Sequence, residues 1–329
     1  MDPSRSVLEF RQYRMGFRVD DQICALIDGL SFSVREGSVL GVVGESGCGK
    51  SMTALSVLRL LPSAAVVQGG EILFNGENLL AKTEAEMEKI RGRDIAMVFQ
   101  EPMTSLNPVH TVGRQIGEVF RIHRPKMGAD ERRTATIALL REVGIANPQQ
   151  RCDQFAHQFS GGMRQRVMIA MAVACRPQIL LADEPTTALD GTIQAQVLSL
   201  MQDLKQQTKG SIMLITHNLG VVAETCSEVV IMYAGRIVET AAIEDLFDRP
   251  THPYTRGLLA SLPSLVGDSG ELYSIPGSVP SVENLGPGCR FAPRCGLRRD
   301  HCSREAPPLA EVGTGHSVAC WVTGSGAAR

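Results

Sequence analysis

The chain has 329 residues, a length that predicts two domains at about 150 residues per domain. Its 43% of hydrophobic residues can fill a sizeable core, and its 33 basic and 35 acidic side chains leave a formal charge of only −2. These values argue against disorder and against a protein that coats nucleic acid. No run approaches the roughly 20 apolar residues of a membrane helix, and charges stand in the N-terminal segment where a secretory signal would be apolar.

Apolar runs typical of β-strands alternate with helical patterns along most of the chain. Residues 25–34 and 70–75 have the turn-bounded pattern of an antiparallel sheet. Continuous apolar runs, typical of strands buried on both faces of a parallel sheet, occupy residues 39–44, 94–99, 178–183 and 211–216. Residues 228–241 predict a hairpin around Ala234 and Gly235. The pattern predicts an α/β fold.

Two regions depart from this alternation. Residues 111–158 have helical spacing without a strand-like run, which predicts a helical subdomain inserted at about 105–165. Beyond residue 262 proline and glycine become dense and regular periodicity fades. We therefore predict one domain over 1–262 and a loop-rich C-terminal extension over 263–329.

The segment GESGCGKS, residues 44–51, fits the P-loop pattern and lies between a predicted strand and a predicted helix. Its glycines would turn backbone N–H groups toward phosphate oxygens, Lys50 would neutralise phosphate charge, Ser51 would bind Mg²⁺ and Cys48 would face phosphate. A chance glycine-rich turn is the alternative, which this context disfavours. The predicted nucleotide-binding residues are Gly44, Glu45, Ser46, Gly47, Cys48, Gly49, Lys50, Ser51 and Met52.

A second motif, ILLADEP at residues 179–185, is an apolar run that ends in two adjacent acids. Asp183 would hold Mg²⁺ through water, and Glu184 would polarise the water that attacks the γ-phosphate. Alone, such a pair is more often a helix N-cap with a solvated neighbour. Its occurrence together with a P-loop favours the catalytic interpretation.

A third motif, FSGGMRQR at residues 159–166, precedes a long apolar helical pattern. Ser160 is a good N-cap, and Gly161 and Gly162 would expose the first backbone N–H groups to an anion. In isolation, a capped helix after a Gly-Gly turn is the simpler interpretation.

Two polar residues follow predicted strands at the edge where α/β folds bind ligands. Gln100 would contact Mg²⁺ and the attacking water, and His217 would hydrogen-bond the γ-phosphate. A lone histidine after a strand is usually structural, so its place in the series of motifs is what supports a role.

In this order the motifs resemble those of the ATP-binding subunits of ABC transporters, over essentially the whole chain. The resemblance implies an ATPase with a P-loop ABC fold: a mostly parallel sheet, an antiparallel β subdomain and a helical insertion. It further implies that Ser160, Gly161 and Gly162 complete the ATP site of an opposing subunit. Asp190 lies in TTALD, residues 186–190, which resembles a loop that crosses the dimer interface.

The same resemblance places an aromatic residue on the adenine ring. Phe17 is the candidate, with Tyr13 as its rival. It also makes the segment 100–108, together with the helical insertion, the mechanical contact with membrane subunits.

Several features resemble the oligopeptide and dipeptide importer branch, whose near relatives also serve nickel and glutathione uptake. Two of them are Phe159 and Met163, which differ from the common LSGGQ form of this family's signature motif. The others are the segments 101–108, 252–263, 275–280 and 289–295. This branch implies a second, identical or related ATPase subunit, two membrane permease subunits and an extracytoplasmic solute-binding protein, with no nucleic acid. The chain would then be peripheral on the cytoplasmic face of the inner membrane.

The extension contains four cysteines, which could be ligands of zinc or of an iron–sulfur cluster, or unligated thiols. They are Cys289, Cys295, Cys302 and Cys320. The resemblance favours a [4Fe–4S] cluster with a structural or regulatory role. The arginines of this region are expected to form a solvated face, with a membrane or partner contact as the second interpretation. They are Arg290, Arg294, Arg298, Arg299 and Arg304.

Two further hypotheses stay open. One is a soluble ABC-type ATPase of DNA repair or translation, although such proteins usually carry a second cassette or a long coiled coil that this chain does not have. The other is a regulatory metal-binding module with a vestigial cassette, against which the intact Lys50, Asp183, Glu184 and His217 weigh.

Overall fold

The structure is a computed structural model that describes residues 5–19, 22–101, 105–187, 189–262 and 273–324. The strands are β1 (Ser6–Val19), β2 (Gln22–Arg35), β3 (Val39–Val43), β4 (Ala65–Phe74), β5 (Glu77–Asn78), β6 (Ile95–Val98), β7 (Ile179–Asp183), β8 (Ser211–Thr216), β9 (Glu228–Tyr233), β10 (Arg236–Ala242), β11 (Ala310–Gly313) and β12 (His316–Val318).

The helices are α1 (Lys50–Val57), α2 (Glu84–Ile90), α3 (Val112–His123), α4 (Ala129–Glu142), α5 (Pro148–Cys152), α6 (Gly161–Val173), α7 (Gly191–Thr208), α8 (Leu219–Thr225), α9 (Ile243–Asp248) and α10 (Pro253–Ala260). In the part of the chain that the structure describes, no helix is long and apolar enough to cross a lipid bilayer.

The chain forms two compact units. The first unit comprises Met1–Val7, Arg35–Ser38 and Ala81–Met213, and the second comprises Leu8–Val34, Val39–Leu80 and Leu214–Arg329.

In the first unit, β6 and β7 pair in parallel, with Ile95 opposite Ile179 and Val98 opposite Ala182. All residues of both strands are buried, as the continuous apolar runs predict. Helices α3, α4 and α5 fill the stretch 111–158, so the expected helical pattern there is confirmed.

The second unit contains an antiparallel sheet of order β2-β1-β4-β5 and a run of strands of order β11-β12-β10-β9-β3. In that run β3 and β9 are parallel, with Leu40 opposite Glu228. The hairpin between β9 and β10 turns at Ala234 and Gly235, as predicted, and both residues have a positive φ.

The sequence did not reveal β1, because its register against β4 shifts between Arg11 and Arg14 and again before Met15. Each shift interrupts the alternation that marks a half-buried strand. The predicted strands at 39–44, 94–99, 178–183 and 211–216 are confirmed within one residue at each end.

The C-terminal extension has little regular structure, as its composition predicts. Its strand β12 nevertheless pairs with β10, with Val318 opposite Glu239. The expected boundary at 262/263 adjoins residues 263–272, which lie outside the described residues, so the division into two domains stays a prediction. Pro263 of the segment 252–263, residues 102–104 of the segment 100–108 and Ala188 of TTALD also lie outside them.

Candidate functional site

The P-loop occupies the turn between β3 and α1 in the second unit. Gly49 has a φ of +101°, a conformation that side chains rarely adopt. Gly44 lies so close to β9 that a Cβ there would be 2.3 Å from the carbonyl oxygen of Met232. Both positions therefore require glycine, which explains why the motif has glycines at these points.

Lys50 lies inside the turn rather than in solvent. Its Nζ donates hydrogen bonds to the carbonyl oxygens of Gly44 at 2.7 Å and Glu45 at 3.0 Å, and the residue is 5% exposed. An ammonium group held at this point is placed to meet phosphate charge without reorganising the loop.

The side chain of Cys48, expected to face phosphate, does not reach the surface of the loop. It is fully buried, and burial raises the pKa of its thiol. Any contact of this residue with a nucleotide would therefore involve its backbone, since Ser46 and Gly47 beside it are the exposed members of the loop.

Two segments distant in sequence hold the P-loop in place. The phenol oxygen of Tyr254, on α10, accepts a hydrogen bond from the backbone N–H of Glu45 at 2.9 Å. The backbone N–H of Gly235, in the β9–β10 turn, donates to the carbonyl oxygen of Cys48 at 2.9 Å. Tyr254 is fully buried, and burial raises its pKa, so its hydroxyl is neutral at physiological pH.

Two arginines of the extension also reach this region, which corrects the expectation of a solvated face. Arg294 Nη1 lies 3.0 and 2.9 Å from the two carboxylate oxygens of Glu45. Arg290 Nη2 lies 3.3 Å from Asp28 Oδ2. Both arginine side chains are only 6% exposed. The rest of the arginine run, Arg298, Arg299 and Arg304, is exposed as expected.

Burial changes the protonation equilibria of these two arginines differently. Burial lowers the pKa of Arg290 to about 10, with a further lowering by Arg236, and Asp28 opposes the shift. Burial also acts on Arg294, but hydrogen bonds to Tyr233 and Glu45 leave its pKa above the ordinary value. Both guanidinium groups are charged at neutral pH.

The remaining predicted residues of the second unit differ in their exposure to solvent. Phe17, on β1, is half-buried, whereas Tyr13 is fully buried and donates its hydroxyl hydrogen to Ser56 Oγ at 2.9 Å. Of the two, only Phe17 has ring surface available to an adenine. Ser51 and Met52 are half-buried at the start of α1, and His217 is exposed just after β8.

The first unit brings Gln100 and Glu184 together. Gln100 Nε2 donates to Glu184 Oε2 at 3.4 Å, and the hydroxyl of Thr187 donates to the same oxygen at 2.8 Å. Glu184 has a φ of +46°, a conformation that costs on the order of 1–3 kcal/mol in a non-glycine residue and is frequent at functional sites. Asp183, 4% exposed, ends β7 beside it.

The FSGGMRQR segment, residues 159–166, contains the capped start of a helix. Ser160 Oγ accepts a hydrogen bond from the backbone N–H of Met163 at 3.4 Å, at the beginning of α6. Ser160 and Gly161 are exposed, while Phe159 is buried. Asp190 similarly caps α7 by accepting from Ile193 N at 3.0 Å. The exposed start of α6 leaves room for an anion.

The four cysteines of the extension are free thiols in the structure. Burial raises the pKa of Cys289, and the neighbouring Cys295 and Cys302 add to the shift; Cys295 is likewise affected by Cys320. Across the described ranges, however, no group of three or more His, Cys, Asp or Glu side chains is placed to hold a metal ion. As placed, these thiols do not fit a zinc or iron–sulfur site, and the expectation has no support here.

Sequence reasoning did not assign Tyr254, Arg294 or Thr187 to the functional site. The first two are 209 and 249 positions from Glu45, so no local pattern connects them with the P-loop. Both lie in segments that carried the importer resemblance, and this was the only signal that could have drawn attention to them.

Comparisons with known proteins identify the family of the chain. Residues 27–187 match the family model "ABC transporter", and residues 238–302 match "Oligopeptide/dipeptide transporter, C-terminal region". A probable peptide ABC transporter ATP-binding protein of Sinorhizobium fredii is 52% identical, with 96% of this chain and 94% of that protein covered. The oligopeptide transport ATP-binding protein AppD of Bacillus subtilis is 49% identical, with 93% of each chain covered.

Solved structures agree on the fold. The ATP-binding cassette MJ0796, in a dimeric post-hydrolysis state bound to ADP and Pi, has a TM-score of 0.65 at 24% identity. The match covers 72% of this chain and 98% of that one. The cbiO1 protein of Clostridium perfringens has a TM-score of 0.63, also at 24% identity, over 74% of this chain and 91% of that one.

The fold and the P-loop thus define an ABC-type ATPase, which confirms the predicted fold class and enzyme activity. The chain belongs to the ABC transporter family, in the group of ATP-binding proteins that carry the oligopeptide/dipeptide transporter C-terminal region.

Proposed function

We propose that this chain hydrolyses ATP to energise the import of peptides. The observation that carries the proposal is the P-loop, in which Lys50 is hydrogen-bonded to the carbonyls of Gly44 and Glu45. The peptide cargo is supported by relatives, among them the dipeptide transport ATP-binding protein DppD of Bacillus subtilis at 46% identity.

In this proposal the exposed backbone of the P-loop binds the phosphates, and Phe17 stacks on adenine. Ser51, Gln100 and Asp183 are the proposed Mg²⁺ ligands; hydroxyl, amide and carboxylate oxygens are the donor types that this cation prefers. When bound, Mg²⁺ neutralises charge on the phosphate oxygens.

The hydrolytic step depends on Glu184. Its carboxylate would accept a proton from the attacking water, and the bonds from Gln100 and Thr187 keep one carboxylate oxygen, Oε2, in a fixed place. His217, exposed after β8, would donate a hydrogen bond to the γ-phosphate.

We further propose that catalysis needs a second subunit, identical or related. Ser160, Gly161 and Gly162 would bind the nucleotide held by that subunit, and Asp190 would lie at the interface. The exposed, capped start of α6 supports this role, because its backbone N–H groups can reach an anion outside the chain.

The proposed assembly includes two membrane permease subunits and an extracytoplasmic solute-binding protein. The chain would be attached to the cytoplasmic face of the inner membrane through the permeases. Names of the relatives as ATP-binding proteins of transport systems support this arrangement.

A metal centre at the four cysteines is a separate proposal, carried by the resemblance to the importer branch and not by the placement of the thiols in the described residues. Metal analysis of anaerobically purified protein tests it. Iron or zinc that disappears when the four cysteines are changed to serine, and persists in Cys24→Ser, would support it; metal-free wild-type protein would contradict it.

Nucleotide binding is tested with Lys50→Met, using a fluorescent ATP titration. We expect binding to weaken by about tenfold or more, since a charge-assisted interaction with phosphate is lost. Lys89→Met, an exposed change of the same kind, should bind as the wild type does. Equal affinities in all three proteins would contradict the proposed ATP site.

The tests of the proposed role of Ser160 and of the peptide cargo require the assembled complex. Ser160→Glu places a negative charge where phosphate would bind, so turnover should collapse while the subunit still folds. Uptake of a labelled dipeptide should stop in cells whose complex carries this variant. Unchanged turnover would contradict the two-subunit site, and ATP turnover that no peptide stimulates would contradict the cargo.

A further inference from the structure

Arg294 connects the C-terminal extension with the P-loop through one heavily used guanidinium group. Nε donates to the carbonyl oxygen of Pro276 at 2.9 Å, and Nη2 donates to that of Ile275 at 3.2 Å. Nη1 meets both carboxylate oxygens of Glu45. All three nitrogens therefore have partners, so the direction of the charge toward Glu45 is fixed.

The backbone around Arg294 is built to support this contact. The Cγ of Arg294 lies 3.5 Å from the Cβ position of Gly277, which has a φ of +77° and turns the chain just after Pro276. Ile275 itself packs against Gly257 on α10, where a Cβ would approach the Ile275 side chain to 2.9 Å. The segment that accepts the Arg294 hydrogen bonds thus packs against the helix that carries Tyr254.

Glu45 presents an electrostatic difficulty for a phosphate-binding loop. Its carboxylate is 28% exposed and lies one residue after Gly44, whose carbonyl binds Lys50. A negative charge at this point would repel a triphosphate, and partial burial weakens the screening by water. The contact of Arg294 Nη1 with both carboxylate oxygens offsets that charge.

Tyr254 adds a geometric constraint. Its phenol oxygen accepts a hydrogen bond from the backbone N–H of Glu45, so α10 fixes the orientation of the Gly44–Glu45 peptide bond. Arg294 fixes the side chain of the same residue. Glu45 is therefore held at both its backbone and its carboxylate by residues far along the chain.

We propose that Arg294 is a positioning residue through which the C-terminal extension neutralises Glu45 and so sets the affinity of the P-loop for ATP. The proposal rests on the ATP site proposed above and deepens it. It gives the extension a direct role in nucleotide binding that does not depend on any metal.

The test compares Arg294→Gln, Glu45→Gln and the double variant by fluorescent ATP and ADP titrations, with thermal melting as a folding check. We expect Arg294→Gln to weaken ATP binding by about tenfold, because the Glu45 carboxylate left without its partner would repel the triphosphate. The weakening should be smaller for ADP, which carries less charge. Arg299→Gln, an exposed arginine of the same extension, should bind as the wild type does.

The double variant separates charge from packing. If Arg294 acts by cancelling the carboxylate charge, removal of that charge in Glu45→Gln/Arg294→Gln should restore ATP affinity to that of Glu45→Gln alone. A double variant as weak as Arg294→Gln would overturn the proposal, as would wild-type affinity in Arg294→Gln.

Arg294→Lys covers the case in which the glutamine variant does not fold. Lysine keeps the positive charge but lacks the guanidinium donors to Pro276 and Ile275. ATP affinity should therefore fall less than in a folded variant in which residue 294 is neutral. Affinity in Arg294→Lys reduced by tenfold or more, in a folded protein, would overturn the charge argument. Lys50→Met, measured in parallel, shows whether the ATP site itself or only the role of Arg294 has failed.

Discussion

The P-loop in the second unit and the Gln100–Glu184 pair in the first differ in how firmly they are held. The P-loop is enclosed: Lys50 is buried on its carbonyls, Tyr254 holds a backbone N–H and Arg294 holds a side chain. Glu184 is half-buried, and its carboxylate is held by two exposed residues, Gln100 at 3.4 Å and Thr187 at 2.8 Å.

This contrast indicates that the protein separates binding from hydrolysis. Buried partners fix the turn that would bind phosphate, whereas Glu184 lies between exposed side chains, where the attacking water can reach its carboxylate. Changes near the P-loop should therefore alter affinity or stability, and changes near Glu184 should alter turnover alone. The predictions below test that difference.

The largest expected effect is on turnover in Glu184→Gln. Removal of the general base should lower phosphate release by the assembled complex roughly 10²-fold or more, because amide nitrogen cannot accept the proton. ATP affinity should not change. Asp203→Asn, an acid-to-amide change on the exposed face of α7, serves as the control. Full turnover in Glu184→Gln would remove this residue from the mechanism.

Next in size is the effect of Glu239→Ala on stability. The fully buried carboxylate accepts the backbone N–H groups of Thr251 at 2.7 Å and His252 at 2.9 Å and bonds with His316 Nε2 at 2.7 Å. It thereby anchors the start of α10, which carries Tyr254. Loss of these bonds should lower the free energy of unfolding by about 3 kcal/mol.

Equilibrium unfolding in urea measures this change. Glu283→Ala, an exposed acid of the same extension, should alter stability by less than about 0.5 kcal/mol. Equal stabilities of the two variants would show that the anchor at Glu239 does not support α10.

A smaller, pH-dependent effect is expected from His252, the N-cap of α10. Its Nδ1 accepts the backbone N–H of Tyr254 at 3.0 Å, and burial lowers its pKa from 6.5 to about 3. Between these values the unfolded chain binds a proton that the folded chain does not. His252 therefore makes the fold less stable as the pH falls, by roughly 1.4 kcal/mol per pH unit.

His252→Asn keeps a capping oxygen and removes the titration. Unfolding measured from pH 7 to pH 4.5 should show a shallower loss of stability in this variant than in the wild type. The exposed His157→Asn should leave the slope unchanged. Parallel slopes for His252→Asn and the wild type would contradict the buried, neutral state of this ring.

Local patterns predicted most of the elements that position the site. The strands that precede the P-loop and end at Asp183 were readable because both are continuous apolar runs, which in β7 extend up to Asp183. The helix start at Ser160 follows from capping chemistry within three residues. The roles assigned to these residues in ATP binding and hydrolysis stay predictions.

Other interpretations from sequence failed where a side chain meets a distant partner. Arg290 and Arg294 look like members of a solvated basic run, yet both are buried against carboxylates. Cys48 stands in the phosphate loop, but its thiol is turned into the core. Nothing in the neighbouring residues distinguishes these states.

The amino-acid order by itself determined the α/β class, the P-loop turn and the helix caps, because these depend on backbone preferences and on partners a few positions away. Only the tertiary structure decided that Glu45 would meet Arg294, 249 positions later, and that Glu239 would meet His316, 77 positions later. The identity of a charged residue does not indicate whether water or an opposite charge surrounds its side chain. Folding makes that choice, since burial removes the water and leaves the paired charge as the remaining partner.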